Sequence, residues 1–289
     1  MTSKMKRVVS ISSALVIATV MLIGGGLWIS SLNSNSIYQG PIVALALEGY
    51  PGDRLAFSVC RNASHGEVLL GAINKVINDL GDEKIAELVR HHTDVDLGRT
   101  STLSFYVPTP GNSGDAIYFY TAYANSPFSY LGANNSSAGV NWDIMRFVAV
   151  ELGMRLEARF SVFGGIIQAV TQQTSEWRMI GDAVFITEAR EQILTFSDVY
   201  WTSMLAVISK KSNSWNTLAQ LDGRRIGGMG GGIGAIYIQR QLDNGTLSSA
   251  TQLLEYTAIQ TAFMDLLAGR IDAVVFPDYA TEKLIASRR

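Results

Sequence analysis

Cysteine is almost absent. Cys60 is the only thiol in 289 residues, which excludes an intramolecular disulfide. Histidine is scarce too: His65, His91 and His92 are the three present. No Cys/His spacing matches a zinc site, so no metal centre is expected. The adjacent pair His91-His92, with no third ligand nearby, reads as a solvated helix end, and Cys60 as a buried strand residue. Excess charge is also lacking. A formal net charge of −2 gives no basis for a nucleic-acid partner. With 47% hydrophobic and 17% charged residues, long disordered tracts are excluded. No nucleophile–base pair stands out, so neither catalysis nor a cofactor is expected.

What is present begins with an address. Lys4, Lys6 and Arg7 precede an uncharged run from Val8 to Leu32. A run of this length can cross a bilayer, whereas a signal peptide's apolar region is about 7–15 residues. The positive flank keeps the N-terminus inside and sends the rest out. The reading is a signal anchor over residues 1–35, favoured over a cleaved signal peptide, with Asn33–Ser36 as a polar tether. Sequons at Asn62, Asn134, Asn135 and Asn244 matter only in a host that glycosylates.

From residue 116 onward, strand and helix patterns alternate. "AIYFYTAY", "RLEARFSV", "MIGDAVF", "MLAVISKK", "RRIGGM", "TQLLEY" and "IDAVVF" read as strands. "VNWDIMRFVAVELG", "GGIIQAVTQQ", "EAREQI", "IGAIYIQRQL", "AIQTAFMDLLAG" and "ATEKLIAS" read as helices. Such repetition implies mainly parallel sheets covered by helices, with ligands at the carboxyl ends of strands. Before residue 116, "PIVALALEG" and "RLAFSVC" read as strands, and "GEVLLGAINKVINDLG" and "EKIAELVRHH" as two helices. Residues 93–115 read as a linker in which "TLSFYV" could pair as an edge strand.

Two features point to anion binding. The stretch "GGMGGGIGA" (227–235) lies between a strand and a helix. Gly230, Gly232 and Ala235 fit G-x-G-x-x-A, and Glu255 follows 20 residues later, as in a dinucleotide-binding turn. Export argues against a nicotinamide cofactor. Backbone N–H groups at a helix start, approached closely through glycine, suit any anion. The second feature is Arg190 in "TEAR", just after a strand. Arginine suits two-pronged carboxylate binding; the alternative is a surface arginine paired with Glu188 or Glu191.

"SPFSYL", "GVNWDIMRFVAVELG", "ITEAREQILTFSDVYW", "LAQLDGRRIGGMGGG" and "LLAGRIDAVVFPDYA" follow one another in the order found in bacterial extracellular solute-binding proteins of the polar-amino-acid family, which this chain resembles over residues 116–289. The resemblance implies an α/β fold of two lobes, periplasmic-binding-protein-like, closing on a ligand. Residues 41–89 are similar to that family's usual ending, so the resemblance implies a circular permutation. Lobe 1 would be continuous over 53–204, with 93–115 rejoining the old termini. Lobe 2 would combine 36–52 with 206–289, and the N-terminal helix would anchor it.

The resemblance also implies a site. Arg190 matches the arginine that grips a ligand carboxylate, with Thr187 in the same motif. Phe163 matches an aromatic that covers the ligand. Gly231, Gly232 and Ile233 match a helix N-terminus facing the carboxylate from lobe 2, although Ile233 replaces a hydroxyl residue. The family's ammonium-binding acids fall at Ala122 and Pro277, with Asp278 one residue out of register. Tyr123, Asn125, Phe128 and Phe185 would make the pocket aromatic. The expected function is capture of a small anionic solute, a carboxylate or amino-acid-like ligand, outside the membrane for a transporter permease or receptor. A sensory module or a dehydratase-like enzyme on the same scaffold stays open.

Overall fold

The β–α alternation after residue 116 forms two separate sheets rather than one. The computed structural model describes residues 42–286 apart from 124 and 173, together with 22–23, 26–27 and 37–39. The apolar run 8–32 lies outside the described residues except for Leu22–Ile23 and Gly26–Leu27. These pair antiparallel where a helix was expected. Among the described residues, no helix is long and apolar enough to cross a membrane.

The first sheet has five strands in the order Arg155–Phe160, Ala116–Thr121, Arg178–Ile180, Ser58–Cys60, Leu194–Phe196. Its first three strands are parallel, and Ser58–Cys60 runs antiparallel to both neighbours. Cys60 is buried there. Helices Gly66–Asp96 and Val140–Glu151 pack on each other and on this sheet. Helix Ile166–Thr171 covers the other face through Ile166 and Val170. The two helical patterns expected near residues 66–92 are two helices that meet at Gly81, whose φ of 65° and ψ of 171° are non-helical.

The second sheet has six strands in the order Gln252–Tyr256, Arg225–Met229, Ala273–Pro277, Leu205–Lys210, Ile42–Ala46, Ile37–Gln39. Ile42–Ala46 pairs antiparallel with Leu205–Lys210. Helix Ile233–Asp243 places Ile233 and Ile238 on one side of the sheet, and helix Ile259–Ala268 places Ile259, Phe263 and Leu266 on the other. Two short antiparallel strands, Asp53–Leu55 and Trp201–Ser203, carry the chain between the lobes.

Three local expectations need correction. "RLAFSVC" is not one strand but two, Asp53–Leu55 and Ser58–Cys60, because its halves serve different sheets. "TLSFYV" forms no strand; Leu103, Phe105 and Val107 pack on the core as part of an irregular crossing. His92 is not solvated. It is buried, with Nε2 2.9 Å from Asp143 Oδ2 and Nδ1 3.0 Å from the Tyr130 hydroxyl. The solvated reading failed because helix Val140–Glu151 presents a carboxylate to this turn, which no local pattern shows.

Candidate ligand cleft

Between the lobes lies a narrow cleft whose free volume is about 10 Å³. Lobe 1 lines it with Asn125, Phe163, Ala183, Phe185 and Arg190, and lobe 2 with Met229, Gly232, Ile233, Gly234, Phe276, Pro277 and Tyr279. These come from the carboxyl ends of strands and the loops after them, as the topology dictates.

Arg190 sits in the short helix Glu188–Glu191. Thr187 caps this helix: its hydroxyl accepts from the Arg190 backbone N–H at 3.3 Å. Thr187 therefore positions Arg190 and is not itself among the cleft-lining residues. The loop before it is pinned to the crossing strand by a bridge between Leu55 and Phe185 and by Ile186 N–H to Arg54 O. Arg190 is 8% exposed. It donates to Phe185 O at 2.7 Å and, across the cleft, to Gly231 O at 3.0 Å. It forms no ion pair with Glu188 or Glu191. Burial pushes its pKa down to about 10, against the pull of nearby Asp53. That still leaves it charged at neutral pH.

The glycine stretch is more varied in purpose than an anion cradle. Gly231 has φ +70°, which lets the turn close. Its carbonyl, not its N–H, meets Arg190. The N–H groups of Gly230 and Gly232 are taken by Tyr256 O and Met229 O. Gly234 serves packing: a Cβ there would lie 2.3 Å from Val275 O, so helix Ile233–Asp243 rests directly on the strand Ala273–Pro277. Gly234→Ala is expected to lower stability by about 2 kcal/mol, the usual scale for overpacking against backbone. Urea unfolding measures it, and an unchanged midpoint would contradict the close approach.

Of the residues expected in the site, Asn125, Phe163, Phe185, Arg190, Gly232 and Ile233 line the cleft, and Gly231 touches it through Arg190. Others are not brought there. Tyr123 bonds the Ser137 hydroxyl at 2.7 Å and stacks near Phe160. Phe128 is wholly buried against Tyr200, Trp201 and Tyr279. Asp278 accepts from the Ser203 hydroxyl and from the backbone N–H groups of Tyr279 and Met204, tying lobe 2 to the crossing strand. Burial raises its pKa.

Sequence reasoning missed Asp182, Met229, Phe276 and Tyr279. Asp182 follows the strand Arg178–Ile180, so its strand-end position was a usable signal. It is 1% exposed and accepts from Ala122 N–H at 2.6 Å and Asn125 Nδ2 at 3.1 Å. Burial raises its pKa to about 6 despite these bonds. A raised carboxyl makes the fold bind protons more readily than the unfolded chain between about pH 4 and 6. Its contribution to stability is therefore greatest below that window and is lost as pH rises through it. Asp53 titrates over the same range, raised to about 6 by burial. Comparison with Asp182→Asn isolates the Asp182 share: the wild type should lose stability relative to the variant from pH 4 to 6. A constant difference would contradict the assigned burial.

The sequence model described as bacterial extracellular solute-binding proteins, family 3, matches residues 117–275. The ABC transporter arginine-binding protein 1 of Escherichia coli (strain K12) is 28% identical over 165 residues, covering 56% of this chain and 63% of that protein. The L-arginine-binding protein of Pseudomonas aeruginosa is 28% identical over 153 residues, covering 53% of this chain and 57% of its own. This chain thus spans under two thirds of the length of these relatives. Among solved structures, arginine-bound truncated ArgBP from T. maritima superposes with a TM-score of 0.52 at 22% identity, covering 60% of this chain and 78% of that one. An ancestral arginine-binding protein bound to arginine gives 0.52 at 25% identity, covering 60% and 76%. Arginine is a cation, so the expectation of a net anionic solute draws no support from these relatives.

Proposed function

The chain belongs to the bacterial extracellular solute-binding proteins, family 3, and from that premise we propose that it captures an amino-acid-like carboxylate between its lobes, outside the membrane, for a transporter. The observation that carries this reading is Arg190, a buried guanidinium on lobe 1 that reaches a carbonyl of lobe 2 and touches no carboxylate. A ligand carboxylate would replace the Gly231 carbonyl with a charge-assisted, two-pronged contact. Because it engages both sides of the cleft at once, it would favour the closed arrangement of the lobes.

The walls limit what the carboxylate can carry. Phe163, Phe185, Met229, Ile233 and Phe276 supply apolar surface, and no carboxylate lines the cleft to meet a cationic side chain. The favoured ligand has an apolar or aromatic body, and arginine is expected to bind more weakly than phenylalanine or leucine. Thermal shift and calorimetry with a panel of amino acids and simple carboxylates test this. Binding confined to compounds lacking a carboxylate would overturn it.

We also propose that the chain order is circularly permuted relative to the family, with lobe 1 over 53–204 and lobe 2 built from 36–52 and 206–289. The support is that Ile42–Ala46 completes the sheet containing Ala273–Pro277. A chain rejoined between residues 286 and 42 and reopened within 97–115 should fold with an unchanged circular-dichroism spectrum. Failure to fold would count against it.

A further inference from the structure

We infer that Asp53 is the resident counter-charge of Arg190, and that protonation of its carboxylate strengthens the grip of Arg190 on a ligand carboxylate. The inference rests on the carboxylate reading above and adds its control by protons.

Asp53 opens the crossing strand Asp53–Leu55. That strand is fixed to the loop leading to Arg190: Arg54 O accepts from Ile186 N–H, and Leu55 bridges to Phe185. Phe185 O in turn accepts from the Arg190 guanidinium at 2.7 Å. Asp53 and Arg190 are therefore held on one framework, with Asp53 outside the residues that line the cleft. The Asp53 carboxylate is half-buried, and its Oδ2 is buried with no hydrogen-bond donor. Charge faces it from three directions: Arg240 from helix Ile233–Asp243 of lobe 2, Arg190 from helix Glu188–Glu191 of lobe 1, and Arg54 from its own strand. The Tyr237 hydroxyl, on the same helix as Arg240, also feels its charge. The paired strand Trp201–Ser203 brings no charge.

Burial holds the Asp53 carboxyl up at about 6, even against the pull of Arg240, Arg190 and Arg54. Asp53 therefore changes charge between weakly acid and neutral conditions. Above that range its charge acts on Arg190 and offsets part of the guanidinium's field. An incoming carboxylate then meets a compensated cation with a like charge behind it. Below that range the carboxyl is neutral and the repulsion is gone. Arg190, pushed down by burial to about 10, stays charged throughout. Linkage gives the same sign. A bound carboxylate raises the affinity of Asp53 for a proton, so a proton on Asp53 raises the affinity for the carboxylate by the same factor. Binding thus tightens as pH falls. Asp53 acts through Arg190 and is a positioning residue. Asp182, raised to about 6 by its own burial, titrates over the same range behind Asn125 and must be separated from it.

The test is calorimetry on the intact chain with phenylalanine, leucine and arginine, whose carboxyls stay ionised above about pH 5. Wild-type affinity should be roughly 3- to 30-fold tighter at about pH 5 than at about pH 7.5, the scale of one charge pair at a part-buried separation. Asp53→Asn keeps the backbone pairing with Ser203. It should bind equally at both pH values and, at the higher one, match the wild type at the lower one to within about threefold. Asp182→Asn should keep the pH dependence. If wild-type affinity does not change with pH, or if Asp53→Asn keeps the wild-type dependence, the counter-charge assignment is wrong and the carboxylate reading survives. If none of these amino acids binds at either pH, both fall. Should Asp53→Asn fail to fold, Asp182→Asn decides: a retained pH dependence supports Asp53, and a lost one overturns it.

Discussion

Arg190→Ala is expected to weaken carboxylate binding by about 2–5 kcal/mol, the cost of truncating one partner of a buried charge-assisted contact. The fold should survive the change. Arg190 forms no ion pair whose loss would strand a carboxylate, and its two bonds go to the carbonyls of Phe185 and Gly231. Removing it leaves those carbonyls short of a donor but also relieves the cost of a charge buried to 8% exposure. The two effects oppose, so thermal midpoints of variant and wild type should lie close together. Arg190→Lys should not restore affinity, because a point ammonium cannot present the planar fork. Calorimetry with the tightest-binding amino acid measures the loss. Wild-type affinity in the alanine variant would remove the carboxylate grip from this protein.

Phe128→Ala should lower stability by about 3–5 kcal/mol, the range for deleting a fully buried aromatic. Phe128 is 0% exposed, and the rings of Tyr200, Trp201 and Tyr279 surround it. The neighbours belong to both lobes and to the crossing strand, so the cavity cannot collapse by moving one element. Phe163→Ala is the contrast: it lines the cleft and should change affinity with little change in stability. Urea midpoints at constant slope distinguish the two. A Phe128 variant as stable as the wild type would mean that the ring is not the keystone its contacts suggest.

The contrast between these phenylalanines shows where sequence reading reached its limit. The β–α order, the glycine turn and Arg190 were legible, because each depends on local pattern or on one residue at a strand end. Phe128 was not. "SPFSYL" carries the family resemblance but does not show which of its side chains faces the cleft, and the deciding neighbours lie far along the chain. Asp278 failed similarly: its carboxylate is drawn to Ser203 on the crossing strand, a contact 75 residues apart. Asp182 was passed over although it follows a strand end, because position alone does not show its burial. Its importance emerges only from its burial and from the amide it orients. His92 was misread because its partners, Tyr130 and Asp143, arrive from other elements.

The pairing of Ile42–Ala46 has a consequence for the ribosome. Ala46 finds its partner at Ala206, 160 positions later. The strand's other neighbour, Ile37–Gln39, is made before it, but at about 5–20 residues per second the edge that meets Leu205–Lys210 would wait roughly 10–30 s. Meanwhile all five strands of the first sheet, from Ser58 to Phe196, would already have emerged. Lobe 1 can therefore finish before lobe 2 can start. During that interval "IVALA" has one open apolar edge, the kind of segment to which holding chaperones bind.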